Sequence, residues 1–496
     1  MQKLAPALLF MSMFFFSSHT GLNRPAPQPV KKYNVLFIFV DDLRPELGCY
    51  GNSVIKTPNI DKLASEGTLF KKQYVTVPTC GASRRSLLTG MRPRSATDLS
   101  NDVLEIRKKE NITSEGPESF VAHFRNNGYY TVGMGKISHS PDGYIYKYLE
   151  PKGKERELPD SWDEMLFDPG KWGTGWNAFF GYADGSNRNE LKGAVKPYEG
   201  ADVDDENYPD GLTSRLAIQK LRELAKNDKP FFLGIGFFKP HLPFNAPKKY
   251  WDMYDEADMP LTPSPDIPMN VNKISLQESG EFNAYRQGEE KASLAKPVSD
   301  AYARKLRRAY YASVSYVDAQ IGKVLDELKK ANLDKNTIVV LWGDHGWHLG
   351  DNRVWGKHTL AEWSVRSPLI VKAPGTQKAV SSDKIISSID VYPSLMELCG
   401  IRMPYKTDGK SFVPLLKKSA DTKWSNVAYS YYKSGISVRT DRYRLSKYFR
   451  SEQPVTELYD HQSDPYENKN IANENPALLK SLEGIWRKGD TGLYEL

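Results

Sequence analysis

Cys80 is the residue of this sequence that is most informative for chemistry, because it opens a short run that ends at Gly90 and is typical of a helix. The run reads Cys-Gly-Ala-Ser-Arg-Arg-Ser-Leu-Leu-Thr-Gly. The start of a helix carries partial positive charge, which suits a nucleophile that attacks an anionic group. The alternative is a buried structural thiol, because a free cysteine packs like a small hydrophobic residue.

Acidic residues follow two apolar runs that are typical of buried strands. Asp41 and Asp42 come directly after YNVLFIFV, and Asp344 with His345 follows TIVVLW. Ligand sites in parallel α/β sheets form at the carboxyl ends of the strands. Two adjacent carboxylates repel each other unless a cation binds both, so the pattern predicts either a metal site or a solvated pair in a loop.

Lysines and histidines form three further clusters, each at the end of a predicted strand. The clusters are Gly135-Lys136-Ile-Ser-His139, Phe238-Lys239-Pro-His241 and Trp355-Gly-Lys357. The chain has eight histidines, and four of them lie in these clusters or beside Asp344: His139, His241, His345 and His348. A single lysine or histidine after a strand is usually a surface residue, but three such clusters predict a cationic pocket.

The elements that position these residues alternate between strand and helix, which predicts an α/β sandwich around a central, largely parallel sheet. The predicted strands are Tyr33–Val40, Tyr129–Met134, Pro230–Phe238, Thr337–Trp342 and Pro368–Val371. The predicted helices are Thr57–Gly67, Ser119–Asn127, Leu212–Lys226 and Asp300–Lys330, the last with room for one break. Two segments, Pro141–Gly200 and Pro260–Pro297, are long for loops of a compact domain, and such loops are often functional.

The pattern changes near Lys417, where strands predicted to be antiparallel replace the alternation. They are Val427–Tyr432, Gly435–Tyr448 and Glu457–Asp460, and a helix over Pro476–Lys488 follows them. We therefore expect a signal peptide at residues 1–22, a large domain with all the motifs at residues 30–416, and a small α+β subdomain at residues 417–496.

The N-terminus predicts export. Lys3 precedes an apolar run, Ala5–Phe16, which is too short to span a bilayer, and no cysteine for a lipid anchor lies there. We expect a periplasmic or extracellular bacterial protein without a membrane anchor. The net charge of +7 includes no polybasic run, so no nucleic-acid partner is expected. Three cysteines do not make a disulfide scaffold, and whether Cys49 and Cys399 pair is left open.

From about Tyr33 to the C-terminus, these motifs resemble the type I sulfatases, and most of all the iduronate-2-sulfatase-like members from bacteria. The resemblance is carried by the Cys80 run and by Phe39–Pro45, Leu47–Gly51, Pro58–Asp61, Gly135–Lys136, Lys239–Phe244, Ala312–Tyr316 and Asp344–Trp347. It implies an alkaline-phosphatase-like sandwich, with residues 30–416 as the catalytic domain. It also implies that Cys80 is oxidised to formylglycine, whose hydrate is the nucleophile.

The resemblance also implies the roles of the other residues. Asp41, Asp42, Asp344, His345 and the converted Cys80 would hold a calcium ion, although His345 could instead contact the nucleophile, because imidazole is a poor calcium ligand. Roles in the reaction fall to seven further side chains. Arg84 braces the nucleophile and the metal ligands, His139 helps to deprotonate the diol, and His241 protonates the leaving oxygen. Lys136 supplies positive charge, and substrate is bound by Lys239, Lys357 and His348, with Lys357 also catalytic.

One position departs from the commonest form of the motif. Ala82 stands where proline is usual, which implies maturation by a radical-type formylglycine-generating enzyme. The implied substrate is a sulfated oligosaccharide or polysaccharide that contains uronic acid, from glycosaminoglycan or algae, with choline sulfate as a small-molecule alternative. Two other functions fit the same motifs: a phosphodiesterase or phosphonate hydrolase of the superfamily, and a non-catalytic glycan-binding protein.

Overall fold

The apolar run after Tyr33 forms a central strand of the main sheet, as its composition predicts. The computed structural model describes Met1 and residues 32–109, 117–376, 378–416 and 423–494. The predicted signal peptide, apart from Met1, lies outside the described residues, and so does the start of the predicted C-terminal subdomain at 417–422. That domain boundary stays a prediction.

Sixteen strands and twelve α-helices lie in the described part of the chain. The strands are β1 (Asn34–Val40), β2 (Thr68–Tyr74), β3 (Tyr130–Gly135), β4 (Glu164–Leu166), β5 (Tyr198–Glu199), β6 (Phe231–Phe237), β7 (Phe244–Asn245), β8 (Thr337–Gly343), β9 (His348–Leu349), β10 (Trp355–Gly356), β11 (Arg366–Lys372), β12 (Val380–Ser387), β13 (Ala428–Tyr432), β14 (Gly435–Arg439), β15 (Tyr443–Tyr448) and β16 (Thr456–Asp460). The helices are α1 (Pro58–Glu66), α2 (Cys80–Thr89), α3 (Val103–Lys109), α4 (Phe120–Asn126), α5 (Gly175–Phe179), α6 (Pro209–Leu224), α7 (Lys248–Trp251), α8 (Gly280–Asn283), α9 (Asp300–Lys330), α10 (Glu362–Val365), α11 (Val391–Leu398) and α12 (Pro476–Trp486).

The main sheet has eight strands in the order β12-β2-β11-β8-β1-β6-β3-β4. Only β11 is antiparallel to its two neighbours, β2 and β8, so the predicted α/β fold with a mostly parallel sheet is confirmed. The register pairs Val40 at the end of β1 with Phe237 of β6 and Gly343 of β8. The residues that follow these strands therefore emerge side by side at one edge of the sheet.

Two hydrophobic layers cover the sheet, because alternate side chains of a strand point to opposite faces. Leu36, Ile38 and Val40 of β1 belong to the cluster that contains the buried face of α9. Val35, Phe37 and Phe39 belong to the other cluster, with residues of α4 and α11. The helix predicted over Asp300–Lys330 is continuous, so the break that we allowed for it does not occur.

Three strands of the main sheet, β2, β4 and β12, were not predicted, and β4 is a three-residue strand inside the segment Pro141–Gly200. Lys71 and Lys72 interrupt the apolar pattern of β2, and the first five residues of β12 are partly or fully exposed. The C-terminal sheet is antiparallel, in the order β13-β14-β15-β16, as predicted. The predicted strand Gly435–Tyr448 is instead a hairpin of β14 and β15. Among the described residues, no helix is both long and apolar enough to cross a bilayer.

Candidate active site

Cys80 lies at the first position of α2, where sequence analysis placed it, and its side chain is only 2% exposed. The next position requires glycine, because a Cβ atom on Gly81 would lie 2.0 Å from the Asn101 carbonyl oxygen. The Cys80 Sγ is 3.2 Å from His345 Nε2 and 3.4 Å from Lys357 Nζ. Burial, and then the charge of Asp41, raises the pKa of the Cys80 thiol to about 12.

Three carboxylates surround the thiol. Asp41 and Asp42 extend from β1, Asp344 extends from β8, and all three are fully buried. Asp344 Oδ1 accepts a hydrogen bond from the Asp42 amide at 3.0 Å. Asp42 has a left-handed backbone, φ 56°, and its carbonyl oxygen accepts a hydrogen bond from the Tyr310 hydroxyl of α9 at 2.8 Å. The outer helix thus holds the loop that carries the acidic pair.

Three cations pair with these carboxylates. The Arg84 guanidinium donates to Asp41 Oδ1 at 3.1 Å and to Asp344 Oδ2 at 3.0 Å, so it joins two of the predicted metal ligands. Lys136 Nζ is 2.6 Å from Asp41 Oδ2, and Lys357 Nζ is 2.8 Å from Asp42 Oδ1. Burial opposes ionisation of Asp41, but Lys136 and Arg84 together hold its pKa well below the usual range.

The donor atoms of this cluster fit a hard divalent cation. Ligand atoms of Asp41, Cys80, Asp344 and His345 lie within 4.8 Å of one another, and Asp41, Asp42 and His241 form an overlapping group. Carboxylate oxygens supply two of the four ligand atoms in the first group and two of the three in the second, and calcium prefers oxygen ligands. Burial raises the pKa of Asp42 well above its usual range, and a bound cation would favour the ionised form.

His345 has a ring nitrogen free for either of its two predicted roles. Its Nδ1 is 2.9 Å from the Gly346 carbonyl oxygen and therefore carries the proton. The other ring nitrogen, Nε2, lies 3.2 Å from Cys80 Sγ and 3.4 Å from Asp42 Oδ1. The geometry is compatible both with metal binding and with contact to the nucleophile.

The two histidines predicted to transfer protons lie beside the cluster. His241 Nε2 is 3.8 Å from Asp42 Oδ2, and its ring packs on Phe179 at 4.4 Å between centroids. Burial, followed by the charge of Lys357, lowers the pKa of His241 to about 4. The half-buried His139 packs edge-on against Trp176 at 5.4 Å, and its Nδ1 has no hydrogen bond within the described residues.

Two predicted substrate-binding residues instead point at protein atoms. Lys239 Nζ donates to the carbonyl oxygens of His241 and Pro243 at 3.0 and 2.6 Å, so it stabilises its own loop. The His348 ring is fully buried, with Nδ1 3.0 Å from the Asp351 carbonyl oxygen and Nε2 3.0 Å from Thr359 Oγ1. This geometry does not support substrate binding by either residue, because position after a strand does not determine where a side chain points.

Glu281 is a site residue that sequence reasoning missed. It lies on the single-turn helix α8, inside the long segment Pro260–Pro297, and its Oε1 is 2.9 Å from His241 Nε2. Its Oε2 is 3.5 Å from Lys357 Nζ. The only signal was the length of the segment, which indicated function without indicating a residue. The other long segment, Pro141–Gly200, supplies an aromatic wall beside His241, formed by Trp176, Phe179 and Phe180.

Comparisons with known proteins give matches over most of the chain. Residues 33–401 match the sulfatase family, and residues 343–483 match the C-terminal region of N-sulphoglucosamine sulphohydrolase. The chain is 31% identical to a sulfatase of Formosa agariphila over 487 residues, which cover 94% of this chain and 88% of that protein. It is 29% identical to iduronate 2-sulfatase of Mus musculus over 409 residues, which cover 76% and 71%.

A solved structure shares the fold. The phosphonate monoester hydrolase SpPMH of Silicibacter pomeroyi superimposes with a TM-score of 0.71 at 22% identity, and the match covers 92% of this chain and 94% of that one. The predicted alkaline-phosphatase-like architecture is therefore confirmed.

Proposed function

The chain belongs to the sulfatase family and is a sulfuric ester hydrolase, and on that premise we propose that it is an exported enzyme that removes sulfate from a sulfated saccharide containing uronic acid. The observation that carries the proposal is the burial of Cys80 at a helix start, among three carboxylates and three cations at one edge of the sheet. The hydrate of a formylglycine made from Cys80 would supply one hydroxyl that attacks sulfur while the sugar oxygen leaves with a proton. The second hydroxyl would then lose its proton, expel sulfate and restore the aldehyde.

Asp41, Asp42, Asp344 and His345, with the converted Cys80, would hold a calcium ion, which supplies positive charge to the nucleophile and to the sulfate oxygens. Lys136 and Lys357 place two more positive charges beside them, where the sulfate ester has to lie. Arg84 keeps Asp41 and Asp344 in place. His139 is the base for the nucleophilic hydroxyl, and His241 is the acid for the leaving oxygen.

The proposed substrate class is supported by the similarity to iduronate 2-sulfatase and by the aromatic wall of the Pro141–Gly200 segment. The test is a panel of defined sulfated oligosaccharides, aryl sulfates, phosphodiesters and phosphonate monoesters, each assayed for the released anion. We expect sulfate from a sulfated saccharide to be released fastest. Faster phosphorus hydrolysis would favour the phosphonate hydrolase alternative, and binding without turnover by fully converted protein would favour a glycan-binding protein.

Maturation is proposed to use a radical-type enzyme, because Ala82, two residues after Cys80, stands at the position where proline is usual. Co-expression with a radical-type or an oxygen-dependent maturase, followed by mass measurement of the Cys80 peptide, tests this. Conversion only by the oxygen-dependent enzyme would refute it.

His241→Ala is expected to slow hydrolysis of alkyl sulfates by about 10²- to 10⁴-fold, and hydrolysis of activated aryl sulfates by far less. An alkoxide leaving group needs a proton, whereas a nitrophenolate leaves without one. A bound sulfate ester adds negative charge beside His241, which favours the protonated ring. The measurement is kcat/KM for both substrate types, and equal losses would remove His241 from the acid role.

Glu281→Gln is expected to lower kcat/KM for alkyl sulfates by about 10-fold, with a smaller loss on aryl sulfates. Glu281 Oε1 contacts His241 Nε2 at 2.9 Å, so the carboxylate favours the charged ring and fixes its orientation. Glu289→Gln, which changes an exposed partner of Lys305, is the matched control and should change neither rate. The same loss on both substrates would make Glu281 merely structural.

A further inference from the structure

Arg188 is a cation near the site that has no acidic partner. It lies between α5 and β5, is half-buried, and places its guanidinium carbon 3.7 Å from the centre of the Phe180 ring. The described part of the chain places no carboxylate within ion-pair distance of it. Arg84, Lys136 and Lys357 differ in this respect, because each has a carboxylate oxygen within 3.1 Å.

Two adjacent aromatic residues connect Arg188 to the reacting end of the site. The Phe179 ring lies 4.4 Å from the His241 ring and 4.0 Å from Lys136 Nζ. Phe180, the next residue, lies 6.1 Å from the His241 ring, and its carbonyl oxygen accepts the Arg188 amide at 3.2 Å. Phe179 and Phe180 therefore link Arg188 to His241 through direct ring contacts.

Two tyrosines complete the surroundings of Arg188. The Tyr285 ring is 5.3 Å from the guanidinium, and its buried hydroxyl lies beside Arg188. Tyr148 is 47% exposed and packs edge-on against Phe180 at 5.7 Å. The guanidinium offers a charge and polar contacts to a sugar derivative, and the exposed Tyr148 ring offers an apolar face.

We propose that Arg188, with Tyr148 and Tyr285, forms a second anion subsite that binds a carboxylate or an additional sulfate on the same sugar whose sulfate ester is cleaved. This inference rests on the proposed function. A guanidinium binds either anion with two parallel hydrogen bonds. Because the Arg188 side chain already stacks on Phe180, it loses less conformational entropy when it binds the anion. The subsite would make the enzyme select sugars that carry two negative groups.

Two matched substrate pairs test the subsite and identify its anion. One pair is a 2-O-sulfated hexuronate methyl glycoside and its methyl ester. The other is N,6-O-disulfated glucosamine and its N-acetylated 6-O-sulfate. We expect matured wild-type enzyme to prefer the doubly charged member of one pair, and Arg188→Met to lower that preference in kcat/KM by about 10- to 100-fold. The pair that responds identifies the anion as carboxylate or sulfate.

Two control variants separate charge from packing. Arg188→Lys keeps the charge and should retain part of the preference, whereas Arg188→Met keeps the apolar contact with Phe180 alone. Arg215→Gln alters an arginine already paired with Asp168 and Glu206, and it should leave the preference unchanged. A preference that Arg188→Met does not change in either pair would overturn the subsite while leaving the proposed function intact.

Binding to inactive protein tests the anion subsite without requiring the proposed desulfation. In the Cys80→Ala background, Arg188→Met should weaken calorimetric binding of the preferred doubly charged sugar by about 10- to 100-fold relative to its singly charged partner. Binding that depends on Arg188, without desulfation by matured wild type, would retain the subsite and reject the proposed function. Binding independent of Arg188 would reject the subsite.

Discussion

Cys80→Ala is expected to release sulfate at least about 10⁴-fold more slowly than the matured wild-type enzyme. The substitution removes the only atom of α2 that faces both His345 Nε2 and Lys357 Nζ, and no neighbouring side chain can supply a comparable nucleophile there. The fold should persist, because alanine retains the helix and the small volume of a side chain that is 2% exposed. The measurement is sulfate release from the preferred saccharide, with thermal unfolding followed in parallel.

The other two cysteines provide matched controls for this variant. Cys49 and Cys399 are both unpaired thiols. Cys49→Ala and Cys399→Ala should keep normal turnover, although Cys399→Ala should lower the unfolding temperature, because its side chain packs in a core cluster. Cys80→Ser should be as inactive as Cys80→Ala when no formylglycine forms. Normal turnover by the Cys80→Ala variant would remove Cys80 from the mechanism.

Asp41→Asn should destabilise the protein and inactivate it together. Asp41 pairs with Lys136 at 2.6 Å and with Arg84 at 3.1 Å, and all three side chains are buried. A neutral amide leaves Lys136 without its counter-ion, and breaking a buried pair in this way costs about 3–5 kcal/mol. The loss of a proposed calcium ligand should also reduce kcat/KM by about 10²- to 10³-fold or more.

Chemical denaturation and calcium titration measure the two effects of Asp41→Asn separately. Asp383→Asn, which alters an exposed pair with Lys71 at 3.8 Å, is the control and should change the free energy of unfolding by less than about 1 kcal/mol. If Asp41→Asn unfolded at the wild-type denaturant concentration and needed no more calcium for full activity, Asp41 would have neither role.

Much of the fold could be predicted because the central strands carry an unambiguous pattern. Every residue of β1, β6 and β8 is buried, and a strand buried on both faces reads as a continuous apolar run. The strands β2 and β12 lack this signal, because part of each strand is exposed to solvent. Their places in the sheet depend on pairing between distant segments, which no local pattern reveals.

The site residues that follow strands could be found for a related reason. Parallel strands end at one edge, so Asp41, Lys136, His241 and Asp344 had to come together once the sheet was predicted. Glu281 reaches the same place from a long segment with no periodic pattern. Cys49 and Cys399, whose pairing was left open, pack against different core clusters on opposite faces of the sheet, which explains why both thiols are free.

The burial of α2 has a consequence for the order of events in the cell. All ten of its residues are buried, so the thiol at its start is beyond the reach of another protein once folding is complete. An enzyme that oxidises Cys80 would therefore have to meet the polypeptide before it folds. Adding a maturase to the folded, unconverted protein should accordingly restore nothing.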